Sequence, residues 1–446
     1  EITKETNIME VKQKPALSFW GLFNLSFGFF GVQIAYALQS GNISRIFSTI
    51  GADPKSLSFF WILPPLMGMI VQPIVGVLSD KTWCRFGRRI PYLIVGALVA
   101  ILVMCLLPNS GGLGTGNTAL IIGAVILMFL DTSLNMAMQP FKMMVGDVVN
   151  EKQKGTAYAI QSFLCNLGQV VGFALPFLMS YIGFSDTVEN HQVPMSLKMA
   201  FYIGAAILII CVIYTCVNVK EMPPKEYAMY HGGNEAEEEE SVGIIKLLKD
   251  APGNYWRVFA VQFFCWAAFQ FMWIYSNGTI ADTVWNSTDP TSGDYQIAGN
   301  WLGIVLAGQA VASVIWASFL PAIEHKFGLK FAYALSIAIG AVGFAVIPFV
   351  HSQYMLFLPY ALIGCTWAAM LALPFTIVTN ALEGRPHMGT YLGLFNCAIC
   401  FPQIVAGLCG GLILGLVGEI QSNMMFVAAV SLVLGIFTVS VIKTKQ

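Results

Sequence analysis

The sequence predicts an all-α integral membrane protein with twelve transmembrane helices in two six-helix bundles. Three observations carry that expectation. Of 446 residues, 57% are hydrophobic and 11% charged, whereas a soluble domain carries roughly 25% charged residues. A soluble chain of this length could not hide so much apolar surface; bilayer hydrocarbon can. The apolar residues also fall into twelve runs, each near the roughly 20 residues a helix needs to cross a core of about 30 Å. Finally, one long polar stretch, with the acidic run Glu235, Glu237, Glu238, Glu239 and Glu240, separates the sixth run from the seventh and reads as a solvated linker.

Residues 1–16 are polar, carry Lys4, Lys12 and Lys14, and read as a cytoplasmic tail rather than a cleaved signal peptide. The runs follow at 17–41, 57–79, 90–108, 118–145, 158–183, 198–218, 255–281, 299–321, 329–350, 354–380, 387–415 and 422–443. They define an N-terminal bundle (17–218), a cytoplasmic linker (219–254), a C-terminal bundle (255–443) and a cytoplasmic end (444–446). An even number of crossings puts both termini on one side. If that side is the cytoplasm, all but four of the 23 Lys and Arg residues lie there. The exceptions are Arg45, Lys55 and Lys198, placed in outer loops, and Lys142 within the fourth run. That bias sets the topology by the positive-inside rule: a multi-pass protein of the plasma (inner) membrane with cytoplasmic termini.

A formal net charge of −1 supplies no field for nucleic acid. The ten cysteines sit mostly in apolar runs and read as small buried residues rather than disulfides. Cys397 and Cys400 form a CxxC, but in an apolar run without a neighbouring His or third Cys. No metal or cofactor is expected, and the chain is expected to act as a monomer in the bilayer.

The halves resemble each other. A shift of 234 maps Pro140-Phe141 onto Pro374-Phe375, Gly155-Thr156 onto Gly389-Thr390, and Gln169 onto Gln403. A shift of 241 relates Arg85-Phe86-Gly87 to Lys326-Phe327-Gly328, Arg89 to Lys330, and Tyr92 to Tyr333. The shared order suggests a duplicated bundle, an arrangement common among secondary carriers.

A charge at the centre of a membrane helix costs roughly 2.5–3.5 kcal/mol on insertion scales. The fourth run carries Asp131, Asn135, Gln139, Lys142 and, at its inner end, Asp147. At 100° per residue, Asp131 and Lys142 lie within about 20° of one another, roughly 16 Å apart along the helix. They share a face but cannot pair unless Pro140 bends the helix strongly. Amides recur in other runs: Gln33 and Gln39, Asn166 and Gln169, Asn396 and Gln403. Each fits interhelical glue as well as contact with a neutral hydrogen-bonding solute. Phe30, Trp266, Trp273 and Trp367 offer faces for sugar rings. In the loop LSDKTWCRFGRRIPYL, Asp80, Arg85, Arg88 and Arg89 cluster where the second and third runs must turn, with Asp147 as their natural partner.

That loop, the fourth run and the stretch GVQIAYALQSG resemble the sucrose–proton symporters of plants and their bacterial and animal relatives. These belong with the glycoside–pentoside–hexuronide cation symporters of the major facilitator superfamily. Gln33 and Gln39 match the GVQ…ALQ pattern. Asp131, Asn135, Pro140, Lys142 and Asp147 match the family's fourth helix, and SFLCNLGQVVG and LGLFNCAICFPQIVAG are similar to its fifth and eleventh. The resemblance implies that Asp131 binds the coupling proton and that the basic position at Lys142 supports sugar coupling. It implies that Asp80, Arg85, Arg88, Arg89 and Asp147 form a cytoplasmic gate, closed when the site faces outward. The chain departs from plant members in having Lys at 142 rather than Arg, and Tyr275-Ser276-Asn277 where they carry an acidic pair. It also lacks their His in the first outer loop. Related bacterial carriers suggest an α-glucoside such as maltose or sucrose.

The expected function is therefore proton-coupled uptake of a disaccharide, with Gln33, Gln39, Asn135, Gln139, Lys142, Asn166, Gln169, Trp266, Trp273, Trp367, Asn396 and Gln403 around the sugar. A sodium-coupled or uncoupled sugar carrier is the nearest rival. A drug or lipid exporter would want a more apolar cavity, and an enzyme would want a nucleophile–base pair or metal cluster that the sequence does not offer.

Overall fold

A computed structural model describes residues 13–231, 244–382 and 388–443. The acidic run at 235–240 lies outside them. Among the described residues, twelve helical spans are long and apolar enough to cross a membrane. They are α1 (Phe19–Ile50), α2 (Leu57–Lys81), α3 (Ile90–Gly112), α4 (Asn117–Val148), α5 (Lys154–Tyr181), α6 (Met195–Asn218), α7 (Gly253–Trp285), α8 (Gly293–Phe327), α9 (Leu329–Phe349), α10 (Tyr354–Leu382), α11 (Thr390–Leu416) and α12 (Asn423–Ser440). The chain is a multi-pass membrane protein.

Local chemistry sets the helix ends. Ser18 caps α1 by accepting the Gly21 amide at 3.1 Å, and Gly51, at φ 120°, ends it in the left-handed region. Ser292 caps α8 in the same way, accepting the Tyr295 amide at 3.2 Å. Helices α1–α6 pack together, as do α7–α12. Within the first group, α1 lies against α5 and α6; within the second, α7 lies against α12 and α11. The internal repeat is visible in the backbone. Gly87 and Gly328, paired by the 241 shift, both take positive φ, at 112° and 88°. Pro140 and Pro374, paired by the 234 shift, both lie inside unbroken helices.

Two expected placements are corrected, the first being Lys198, which lies inside α6 rather than in an outer loop. Arg45 does not lie in an outer loop. Helix α1 continues to Ile50 rather than ending near 41, and Arg45 is 1% exposed. The polar residues Asn42, Ser44 and Ser48 lower the hydropathy of this end, yet they are buried against the other bundle, so helix and interface both run past the apolar run.

Candidate functional site

Asp131 lies near the middle of α4, 1% exposed. One carboxylate oxygen accepts a hydrogen bond from the Gln39 side chain of α1. The other oxygen, and the Gln39 carbonyl oxygen, are buried without a partner among the described residues. Asn135, one turn on, donates to the Asp131 backbone carbonyl at 2.8 Å. Its own carbonyl oxygen accepts from Gln72 of α2 at 2.6 Å, and Gln72 in turn accepts from Lys142 at 3.1 Å. Asp131 and Lys142 therefore do not pair; Asn135 and Gln72 connect them along an unbroken helix. Pro140 leaves α4 continuous because it sits where the helix tolerates a missing amide bond.

Lys142 is exposed even though it lies inside a span, and it is within electrostatic reach of Cys165 on α5 and Cys400 on α11. Tyr36 on α1 lies within electrostatic reach of Asp131, Cys165 and Cys400. The polar string thus faces both bundles. Gln72 and Tyr36 were not singled out from sequence. Gln72 precedes a proline in an apolar run and has no charged neighbour to flag it.

The other expected residues divide. Gln169 donates to Gln33 at 3.2 Å, joining α5 to α1 beside the acid. Asn166 turns to its own helix, donating to the Ser162 carbonyl at 2.8 Å. Gln139 packs toward α2, where a Cβ on Gly76 would stand 3.8 Å from its amide nitrogen. Asn396 sits where α11 is interrupted, its amide 3.8 Å from the Cys400 sulfur. Gln403 is half-buried further along α11.

The three tryptophans come together. Ring centroids are 5.5 Å apart for Trp266 and Trp367, 5.8 Å for Trp273 and Trp367, and 6.4 Å for Trp266 and Trp273. Trp61 of α2 stacks on Trp273 from the opposite bundle, 6.1 Å away and 9° from parallel. The Trp266 indole N–H is buried with no acceptor among the described residues. Buried indoles usually find a partner, so this one is an unused donor among the described residues.

At one end the bundles are sealed together. Arg45 donates to Gln296 at 2.7 Å and to Asn300 at 2.8 Å, both on α8, and Asn300 donates to Asp186 at 2.9 Å. Ser44 donates to the Ile274 carbonyl at 2.7 Å, Gln270 to the Trp61 carbonyl at 2.9 Å, and Lys55 pairs with Glu419 at 2.5 Å. The backbones also meet there. A Cβ on Gly303 would lie 2.2 Å from the Phe173 carbonyl oxygen, and one on Gly411 2.3 Å from that of Lys55.

At the other end lies a charge network within the first bundle. Arg88 contacts Asp147 at 2.7 Å, Arg89 contacts Asp147 at 3.0 Å, and Arg89 contacts Asp80 at 2.6 Å. Glu221, beyond α6, accepts from the amides of Arg88 at 2.9 Å and of Arg89 and Ile90 at 2.7 Å. Those amides open α3 and would otherwise be orphaned. Glu221 was also missed from sequence. Arg85, expected in this network, is exposed and has no ion pair among the described residues. Arg85 precedes the turn at Gly87 (φ 112°) and is exposed, whereas Arg88 and Arg89, just after it, are buried.

The profile of the Major Facilitator Superfamily matches residues 25–407. Sucrose transport protein SUC4 of Arabidopsis thaliana is 24% identical over 427 residues, covering 85% of this chain and 81% of the relative. Sucrose transport protein SUT1 of Oryza sativa subsp. japonica is 25% identical over 429 residues, covering 85% and 80%. Among solved structures, a mutant of the nucleoside transporter NupG matches with a TM-score of 0.71 at 16% identity, covering 95% of this chain and 99% of that one. A bacterial homolog of the human lysosomal transporter Spinster, inward-facing and occupied, matches at 0.67 with 13% identity, covering 95% and 96%. At such identities these two likenesses speak to fold alone.

Proposed function

Because the chain belongs to the Major Facilitator Superfamily, we propose that it carries a sugar across the membrane by alternating access and, more narrowly, that it imports a disaccharide of the α-glucoside type, such as maltose or sucrose, together with a proton. The observation that carries this reading is the buried acid Asp131, held by Gln39 on one oxygen and joined through Asn135 and Gln72 to the exposed Lys142. The sucrose-transporting relatives support the substrate class. The aromatic floor of Trp266, Trp273 and Trp367, with its free indole donor, supplies an apolar face and a hydroxyl partner of the kind a sugar ring uses.

In the proposed cycle the site first opens to the outside and Asp131 takes up a proton, which removes its charge. Sugar then binds between the bundles, against amides from α1, α4 and α5 on one side and tryptophans from α7 and α10 on the other. The neutral complex reorients, the Arg45 end seals, and sugar and proton leave toward the cytoplasm. In this reading both termini lie on the cytoplasmic side of the plasma membrane, an orientation that the excess of Lys and Arg in the loops on that side supports. One proton moving through 100 mV supplies about 2.3 kcal/mol, enough for roughly 40- to 50-fold accumulation.

Radiolabelled maltose and sucrose uptake into proteoliposomes tests this. An inward proton gradient drives accumulation, and amino acids and nucleosides fail to compete. Accumulation driven by sodium but not by protons overturns the coupling; preference for a nucleoside overturns the substrate class.

A further inference from the structure

A second cavity lies away from the site just described. A groove of about 760 Å³ runs between α3 and α6 on the outer face of the first bundle. Its walls are aliphatic, from Ile90 to Ile101 on α3 and from Ile209 to Val217 on α6. Leu98, Ile213 and Val217 are exposed along it. Its mouth is chemically different: Arg85 and Lys220 stand there, exposed and without a salt bridge among the described residues, beside the exposed aromatics Trp83 and Phe86.

We propose that this groove is a binding site for one anionic phospholipid, with its phosphate between Arg85 and Lys220 and an acyl chain laid between α3 and α6. Length supports the chain. Ile90 to Ile101 rises roughly 16 Å, close to the roughly 15 Å of hydrocarbon in one leaflet. Charge supports the headgroup. Among the described residues the one acid lining the mouth, Glu221, is turned onto the amides of Arg88, Arg89 and Ile90, and neither Arg85 nor Lys220 is ion-paired. Trp83 and Phe86, exposed beside the two cations, are of the aromatic kind enriched where membrane helices meet the headgroups. A lipid here is held on one side by the loop that carries Arg88 and Arg89 and on the other by the segment that carries Glu221.

Native mass spectrometry of the delipidated full-length protein, with phosphatidylglycerol and phosphatidylcholine of matched chains, tests the site. Each cation near an anionic headgroup favours it roughly fivefold, so the pair gives roughly 30-fold preference for phosphatidylglycerol. Arg85→Gln with Lys220→Gln reduces retention of phosphatidylglycerol to that of phosphatidylcholine. Ile213→Trp, which fills the groove and keeps both charges, lowers retention of both lipids. Glycerol phosphate, which has the headgroup charge without the chain, does not displace the lipid. Equal retention of the two lipids by the unsubstituted protein overturns the proposal. So does undiminished phosphatidylglycerol binding in either variant, or displacement by glycerol phosphate.

Discussion

Asp131 has one oxygen bonded to Gln39 and one oxygen buried without a partner among the described residues, and the proposed coupling puts the proton on this carboxylate. Asp131→Asn keeps size and hydrogen-bonding capacity but cannot titrate. The variant is expected to lose proton-driven accumulation while retaining sugar–sugar exchange, because exchange needs no deprotonation. Counterflow and gradient-driven uptake in the same vesicles separate the two outcomes; accumulation that survives shows that the proton is carried elsewhere. Gln72 is tested separately. It accepts from Lys142 and donates to Asn135, so Gln72→Ala leaves both without their partner, at a cost of about 1 kcal/mol or more. The expected result is a half-saturating sugar concentration raised about fivefold or more, and an unchanged value in uptake kinetics would make Gln72 mere helix glue. Sequence showed Asp131 and Lys142 because charge in hydrocarbon is costly and therefore conspicuous. It did not show Gln72, because an amide in an apolar run is cheap and its role depends on which helix lies opposite.

Helices were legible for the same energetic reason that made single amides opaque. Twelve apolar runs predict twelve crossings, and the duplicated RFG and KFG turns predict two matching bundles; Gly87 and Gly328 share a positive φ that favours glycine. What hydropathy could not show is how far each helix runs past its apolar stretch. Helix α1 continues through Asn42 to Ile50, and α8 begins at Gly293 rather than near 299. Those extensions are polar because they face each other across the bundle interface rather than lipid. Their closeness depends on glycine. With Gly303 against the Phe173 carbonyl, any Cβ must push α8 from α5. Gly303→Val is expected to weaken the sealed end by about 1–3 kcal/mol, the usual cost of overpacking. Hydrogen exchange should then quicken over residues 42–61 and 293–303. If protection at both segments is retained, the close approach is incidental to the seal.

At the scale of the molecule, the seal and the site compete for one set of bundle positions. The sealed end buries a full charge at Arg45, which is 1% exposed. Its hydrogen bonds are to neutral amides, while Asp186, bonded to Asn300, lies close enough to act on its charge. Burying a charge costs several kcal/mol, and replacing a buried ionic group with apolar side chains of similar volume is often neutral or stabilising by 1–4 kcal/mol. A polar seal is therefore weaker than an apolar one of the same shape. Under the proposed alternating access, a carrier that breaks the seal in every cycle gains from that weakness, because Arg45 would recover its hydration when the end opens. The exposed Lys55–Glu419 pair adds little, being solvated and screened by salt. The combined variant Arg45→Met, Gln296→Leu and Asn300→Leu removes the charge and its amide partners together, and Asp186 keeps the Ser196 hydroxyl at 2.5 Å and that of Ser180. This variant is expected to unfold at a higher temperature, to exchange its outer amides more slowly, and to transport about tenfold more slowly or worse, since each 1.4 kcal/mol of added seal is a factor of ten in the open population. Arg45→Met alone leaves the Gln296 and Asn300 oxygens without their donor, and it should loosen the same end. If both variants transport at the unsubstituted rate, the end sealed by Arg45 is not one that opens during transport.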